Sequence, residues 1–317
     1  MDRQQIGISS CWTRSLQRGE RPTRENLRNH LLAVHREYAG FTEKCAWHCR
    51  DDAGRNSYQM LAEIIDPNQH RAVLDLACGS GVLIELCRKL HGNQIGLSGL
   101  DMSLEELSMA RDRIPDKGVR FHHGLAQNLS FAKGASFDVV LCHWALTLMD
   151  PIAPVLSEIK RVLAKGGVFG AIIDGDRSTV PSYAEIHDLI YNYVQTEYPN
   201  YTAYELGDPR VRSTESLREL IEGEFSAAEL HVEPIILTWE ATPALLARAA
   251  AGFFYASLVL SEKLHAEMLD ELQLLFATQH TRKKACFSMP INRVLVRKTR
   301  DHEPRASGKA SQKSCRD

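Results

Sequence analysis

No apolar run in this chain approaches the ~20 residues that a membrane-spanning helix needs, so a membrane role is not expected. The opening Met1-Asp2-Arg3-Gln4-Gln5 lacks the apolar core of a secretion signal. Charge of one sign is also missing. The formal net charge is -2 over 317 residues, which gives no global pull toward nucleic acid. The eight cysteines are scattered, and several fall in apparent strands or helices, as suits reduced thiols in a cytoplasm. Cys45-Ala46-Trp47-His48-Cys49 is spaced unlike common zinc pairs, and no second pair follows, so no metal is expected. What remains, 44% hydrophobic and 25% charged, is an ordinary globular composition, and a cytoplasmic location is expected.

A further absence is sharper. Val73-Leu74-Asp75-Leu76-Ala77-Cys78-Gly79-Ser80-Gly81 reads as a buried parallel strand breaking into a glycine turn. Val82 to Leu90 follows with helical spacing. Strand, glycine turn and helix make a nucleotide-binding corner, where the backbone approaches a ligand and the helix start offers free N–H groups. A dinucleotide fingerprint would need a third glycine where Ile84 stands, and no phosphate loop of the G-x-x-x-x-G-K-[ST] kind occurs. Pyrophosphate binding is therefore disfavoured. A second short strand, Ile95 to Leu100, ends in Asp101, placed to accept bonds from both ribose hydroxyls. Met102 offers a soft apolar surface to an adenine face. Arg120 to Gln127 reads as a third strand and its turn, and Ser136 to Leu146 as a central strand ending in polar and aromatic groups.

With these pieces in order, the chain resembles the class I S-adenosylmethionine-dependent methyltransferases. It is most similar to the small-molecule branch that includes the ubiquinone/menaquinone C-methyltransferases. LDLACGSG, GLDMS, FHHGLAQNLSF, FDVVLCHWAL and VLSEIKRVLAKGGVFGAIID carry the resemblance, from about Val73 to Asp174. It implies S-adenosylmethionine as donor and S-adenosylhomocysteine as product. Asp75 would hold the glycine turn and the ligand's amino group. Ala77, Cys78, Gly79 and Gly81 would line the methionine part, and Asp101 would take the ribose. Met102, Leu125 and Ala126 would flank the adenine. His143 would sit beside the sulfonium and the acceptor. The third-strand turn has Leu125 where the family carries an acid, so only backbone contact is implied there.

The alternation of strands and helices implies an α/β fold. Alternation alone argues for a parallel sheet with helices on both faces; the resemblance implies a Rossmann-like, doubly wound seven-stranded sheet whose last strand is antiparallel. Residues 1–22 are polar and aperiodic, and a mobile segment is expected. Residues 23–66 read as a helical cap, and 67–298 as the core. The cap supplies Tyr38, Trp47, Arg55 and Tyr58 as residues near a substrate, joined by Trp144 from the core. Asp150-Pro151 reads as the cap of the next helix. Residues 242–278 form a long apolar helical insertion, whose surface must be buried over the substrate pocket or at a homodimer face. Residues 299–317 are basic and polar, and disorder is expected.

Methyl transfer needs the acceptor in line with the S–CH3 bond, and alignment alone can be worth ~7–11 kcal/mol. Where the acceptor must lose a proton, a base is needed, and His143 is the first candidate; its other role is a structural hydrogen bond. The leading function is methyl transfer to a small, specialised metabolite. RNA or protein methylation and a donor-binding but inactive partner subunit are the alternatives.

Overall fold

The computed structural model describes residues 7–201, 206–225, 229–278 and 284–298; the expected disordered tail at 299–317 lies outside them. Four helices precede the sheet: α1 (Cys11–Gln17), α2 (Arg24–Glu37), α3 (Glu43–His48) and α4 (Ser57–Ala62). The core then runs β1 (Ala72–Leu76), α5 (Val82–His91), β2 (Gly96–Asp101), α6 (Leu104–Arg113), β3 (Arg120–His123), β4 (Phe137–His143), α7 (Ile152–Val162) and β5 (Leu163–Asp174). It continues with α8 (Pro181–Glu197), α9 (Thr214–Glu224), β6 (Glu229–Ala241), α10 (Pro243–Phe253), α11 (Glu262–Thr278) and β7 (Ala285–Arg297).

The seven strands form one sheet in the order β3-β2-β1-β4-β5-β7-β6. The first five are parallel, and β7 lies antiparallel between β5 and β6. Strand direction alternates side chains between two faces. Val73, Val139, Leu141 and Ile172 enter one core with helices α4, α5, α8, α10 and α11. Leu74, Leu76, Val140, Cys142, Ala171 and Ile173 enter a second core with α7 and α9. Every central strand is thus covered twice, which is why each reads as a near-continuous apolar run. β1 pairs with β2 on one side and β4 on the other, so chain order reverses there. In open α/β sheets the crevice beyond the strand C-termini at that reversal is where ligands bind.

One expectation is corrected at once. Residues 7–22 are not a loose segment. Ser10 accepts from Thr13 N–H and caps α1 in a capping box. Trp12 and Leu16, one turn apart, are buried at 2% and 1% exposure, with Trp12 stacked on His30 at 5.0 Å and edge-on to Tyr201 at 4.9 Å. Two large anchors at helical spacing are enough to fix a short helix whose other residues are polar. Asp150 is the second correction: it makes no cap. It accepts from Arg24 Nε at 3.0 and 3.1 Å, and α7 begins after Pro151 without a side-chain cap.

Candidate functional site

The crevice between β1 and β4 opens into a cavity of about 1330 Å3. Its floor is the glycine turn. Ala77, Gly79 and Gly81 all adopt positive φ, at 58°, 50° and 81°. A Cβ on Gly81 would meet Ala110 Cβ at 3.0 Å and Ala110 Cα at 3.2 Å, so only glycine lets α5 start so close to α6. The turn is held from β2. Gly79 N–H donates to Asp101 Oδ2 at 2.8 Å, and Cys78 N–H donates to the Leu100 carbonyl at 2.9 Å. Asp101 Oδ1 accepts from Ser103 N–H at 2.8 Å, at the start of α6.

Asp75 was expected to hold this turn, and it does not. Its carboxyl is 3% exposed, and neither oxygen has a partner among the described residues. Burial, with Asp101 adding like charge, pushes it up to about 8. A cation placed beside that carboxyl would favour its ionised form.

His143 ends β4. Its Nε2 is hydrogen bonded to Ser57 Oγ at 2.8 Å, and its ring stacks on Tyr58 with centroids 3.9 Å apart. Burial pushes the imidazole down to about 3, so it is neutral near pH 7. Asp174 ends β5, next door in the register, where His143 pairs with Ile172. Burial lifts its carboxyl above the usual range, against the pull of Arg212, whose Nε lies 3.7 Å away. Aromatic rings close the far end: Trp144 meets Phe253 edge-on at 5.2 Å, and Tyr183 meets Phe254 at 5.7 Å.

Of the residues expected at the donor end, Asp75, Ala77, Cys78, Gly79, Asp101, Met102, Leu125, Ala126 and His143 line this cavity. Gly81 stands behind it, against α6. Tyr58 and Trp144 line it as well. Tyr38, Trp47 and Arg55 do not. Tyr38 packs with Ile8, Val34 and Leu258, Trp47 is 40% exposed on the outer side of Tyr58, and Arg55 is held by Asp51 at 2.7 Å and Glu63 at 3.2 Å. Their backbone directions are set by the fold around them. The cavity also draws on residues not singled out from the sequence: His35, Glu43, Glu106, Asp174, Arg212 and Tyr255. Asp174 carried a usable signal, because like Asp101 it is an acid at the C-terminal end of a parallel strand. Tyr255 carried one as part of the apolar insertion, and His35 carried none, since its partners are distant in the chain.

Three residues of the insertion, Phe253, Phe254 and Tyr255, line the cavity, and α10 and α11 pack in the same core as β1 and α5. Among the described residues no helix is long and apolar enough to cross a membrane, and no group of three or more His, Cys, Asp or Glu is arranged to hold a metal.

Known proteins resemble this chain in part of its sequence and in its fold. Residues 74–171 match the family described as a methyltransferase domain. The demethylmenaquinone methyltransferase of Lactococcus lactis is 33% identical over 126 residues, covering 39% of this chain and 49% of that one. The chain thus spans about half the length of such curated relatives. A methyltransferase-like structure from Bacillus halodurans C-125 covers 77% of this chain with a TM-score of 0.52 and 15% identity. The [4+2]-cyclase SpnF covers 88% with a TM-score of 0.53 and 18% identity. At such identities the structures show a shared fold alone. The resemblance to class I S-adenosylmethionine-dependent methyltransferases therefore holds both in sequence, over the first five strands, and in fold.

Proposed function

We propose that this chain transfers a methyl group from S-adenosylmethionine to a small-molecule acceptor with a flat, apolar body. The observation that carries the reading is one continuous cavity, running from an orphaned buried acid at the glycine turn to a wall of aromatic rings. Small-molecule sites of this kind are concave and mostly apolar, with a few convergent polar groups.

The residues present fit the donor. Asp75 supplies a partner for a positive charge, with both oxygens unclaimed by the described residues. Asp101 uses one lone pair on each oxygen for backbone N–H groups and keeps the others for ribose hydroxyls. Gly79 leaves room for the ligand above the turn. When bound, the donor supplies an electrophilic methyl group. The acceptor's nucleophilic atom forms the bond to carbon as the carbon–sulfur bond breaks, and the sulfur keeps that electron pair.

Burial leaves His143 a weak proton acceptor, and its Nε2 is already bonded to Ser57 Oγ beneath the Tyr58 ring, so we assign it to alignment rather than to proton removal. Asp174 takes the role of base in this reading. It stands one strand over, in the same cavity, and desolvation raises its proton affinity above that of an ordinary carboxylate, the direction that favours a base. Arg212 orients it. For an O–H or N–H acceptor the proton passes to Asp174 as the methyl arrives. Trp144, Phe253 and Phe254 exclude water and present faces for an aromatic or unsaturated acceptor. The identity of the curated relatives favours a metabolite of quinone-like shape over a macromolecule.

The test is calorimetric titration with S-adenosylhomocysteine, followed by transfer of labelled methyl to a panel of phenols, quinols and amines. Binding and turnover on at least one panel member are expected. Asp101→Ala should weaken the titration roughly 10- to 100-fold, since hydrogen bonds to charged groups are worth ~1.5–3 kcal/mol. A folded chain that takes up no S-adenosylhomocysteine defeats the reading. Binding without turnover on any acceptor would favour a donor-binding partner subunit.

A further inference from the structure

One buried polar group outside the family pieces faces the cavity. Glu106, in the first turn of α6, lines it at 2% exposure. Its Oε1 is hydrogen bonded twice, to His35 Nδ1 at 2.8 Å and to Gly40 N–H at 3.0 Å. Its Oε2 is buried with no partner among the described residues. A Cβ built on Gly79 would lie 3.6 Å from that oxygen. On its other side Gly79 gives its N–H to Asp101. Two carboxyl groups therefore flank one glycine of the turn.

Such an oxygen is costly to leave unpaired, so a donor arriving with a ligand would be favoured there. The surroundings also hold Glu106 still. His35 Nε2 is bonded to Tyr255 Oη at 2.9 Å, so the imidazole is fixed at both ends, by α6 and by the insertion. A rotamer locked in this way is what a recognition contact needs.

Resting on the donor reading above, we propose that Glu106 is a second ribose-recognising residue, whose Oε2 accepts a hydrogen bond from a sugar hydroxyl of the adenosyl group. A hydroxyl is favoured over the donor's ammonium because Glu106 shares Gly79 with Asp101, the acid at the ribose end. Asp75, on β1, is the acid left for the cationic end.

The test separates this contact from the donor reading. Wild type, Glu106→Gln and Glu106→Met are titrated with S-adenosylhomocysteine, adenosine, 2′-deoxyadenosine and 3′-deoxyadenosine, with thermal melts to confirm folding. Glu106→Gln keeps an oxygen for His35 and Gly40, so it covers the case in which Glu106→Met does not fold. The expected result is a loss of about 5- to 10-fold for S-adenosylhomocysteine and adenosine. With it, the preference of wild type for adenosine over at least one deoxyadenosine should shrink by a similar factor. A purely structural role would weaken all four ligands alike and leave that preference intact, and this result overturns the proposal. Affinities within twofold of wild type in the folded variants overturn it as well, while leaving the donor reading standing. No binding of any adenosyl ligand by wild type would remove both.

Discussion

The imidazole of His143 lies under the ring of Tyr58, 3.9 Å from centroid to centroid and 22° from parallel. One ring comes from the last residue of a central strand, the other from a helix of the cap. The stack therefore ties the sheet to its cover at the point where donor and acceptor would meet. If its role is alignment, His143→Ala should lower turnover about 10-fold or more while the affinity for S-adenosylhomocysteine moves less than about threefold. The pH profile of the remaining activity should keep its shape. Loss of the low-pH limb, where activity rises as a base sheds its proton, would return His143 to the role of base.

Asp174→Asn removes the proposed proton acceptor and keeps its size. Turnover on an O–H or N–H acceptor should fall by roughly 10²–10⁴-fold, the range of general base catalysis. Acceptor affinity should change little. Activity within threefold of wild type across the pH range would rule the assignment out.

Asp75 links stability to pH. Burial raises its folded value to about 8, so between about pH 4 and 8 the folded chain keeps a proton that the unfolded chain has released. The stabilisation is full below that window and is lost as the pH climbs through it. The melting temperature of the ligand-free protein should fall from pH 5 to 8, with a flatter slope in Asp75→Asn. A cation seated beside Asp75 pulls the other way, so binding of S-adenosylmethionine near pH 7 should release a proton. Calorimetry in two buffers of different ionisation enthalpy reads that release; its persistence in Asp75→Asn would show that another group is responsible.

Trp12 tests the N-terminal helix. Emptying a buried tryptophan site costs about 3–5 kcal/mol where the surroundings are packed. Trp12→Ala should therefore lower the melting temperature by several degrees. No change would mean that the segment is as loose as its polar composition suggests.

The central strands were legible because they are buried on both faces and end abruptly in polar or glycine-rich turns. Leu74 to Gly81 shows an apolar run and a glycine turn side by side, and Val139 to Trp144 shows an apolar run ending in polar rings. The insertion was legible as surplus apolar surface, though only the structure puts Tyr255 beside His35. Tyr38, Trp47 and Arg55 were misplaced because direction in a cap is decided by packing, not by residue type. Asp75 was read as a brace, whereas Asp101 does the bracing. An acid's sequence position says which strand end it occupies, and not which neighbours claim its oxygens.

The cavity's two ends come from different stretches of chain. In the proposed reading, the donor-facing groups sit mainly on the first four strands and their turns, and the acceptor wall is drawn largely from β5, α8 and the segment around Phe253 to Tyr255. Selectivity for what is methylated is thus separable from the machinery that carries the methyl. Transplanting residues 242–278 between relatives of the same framework should change the preferred metabolite and leave donor uptake largely as it was.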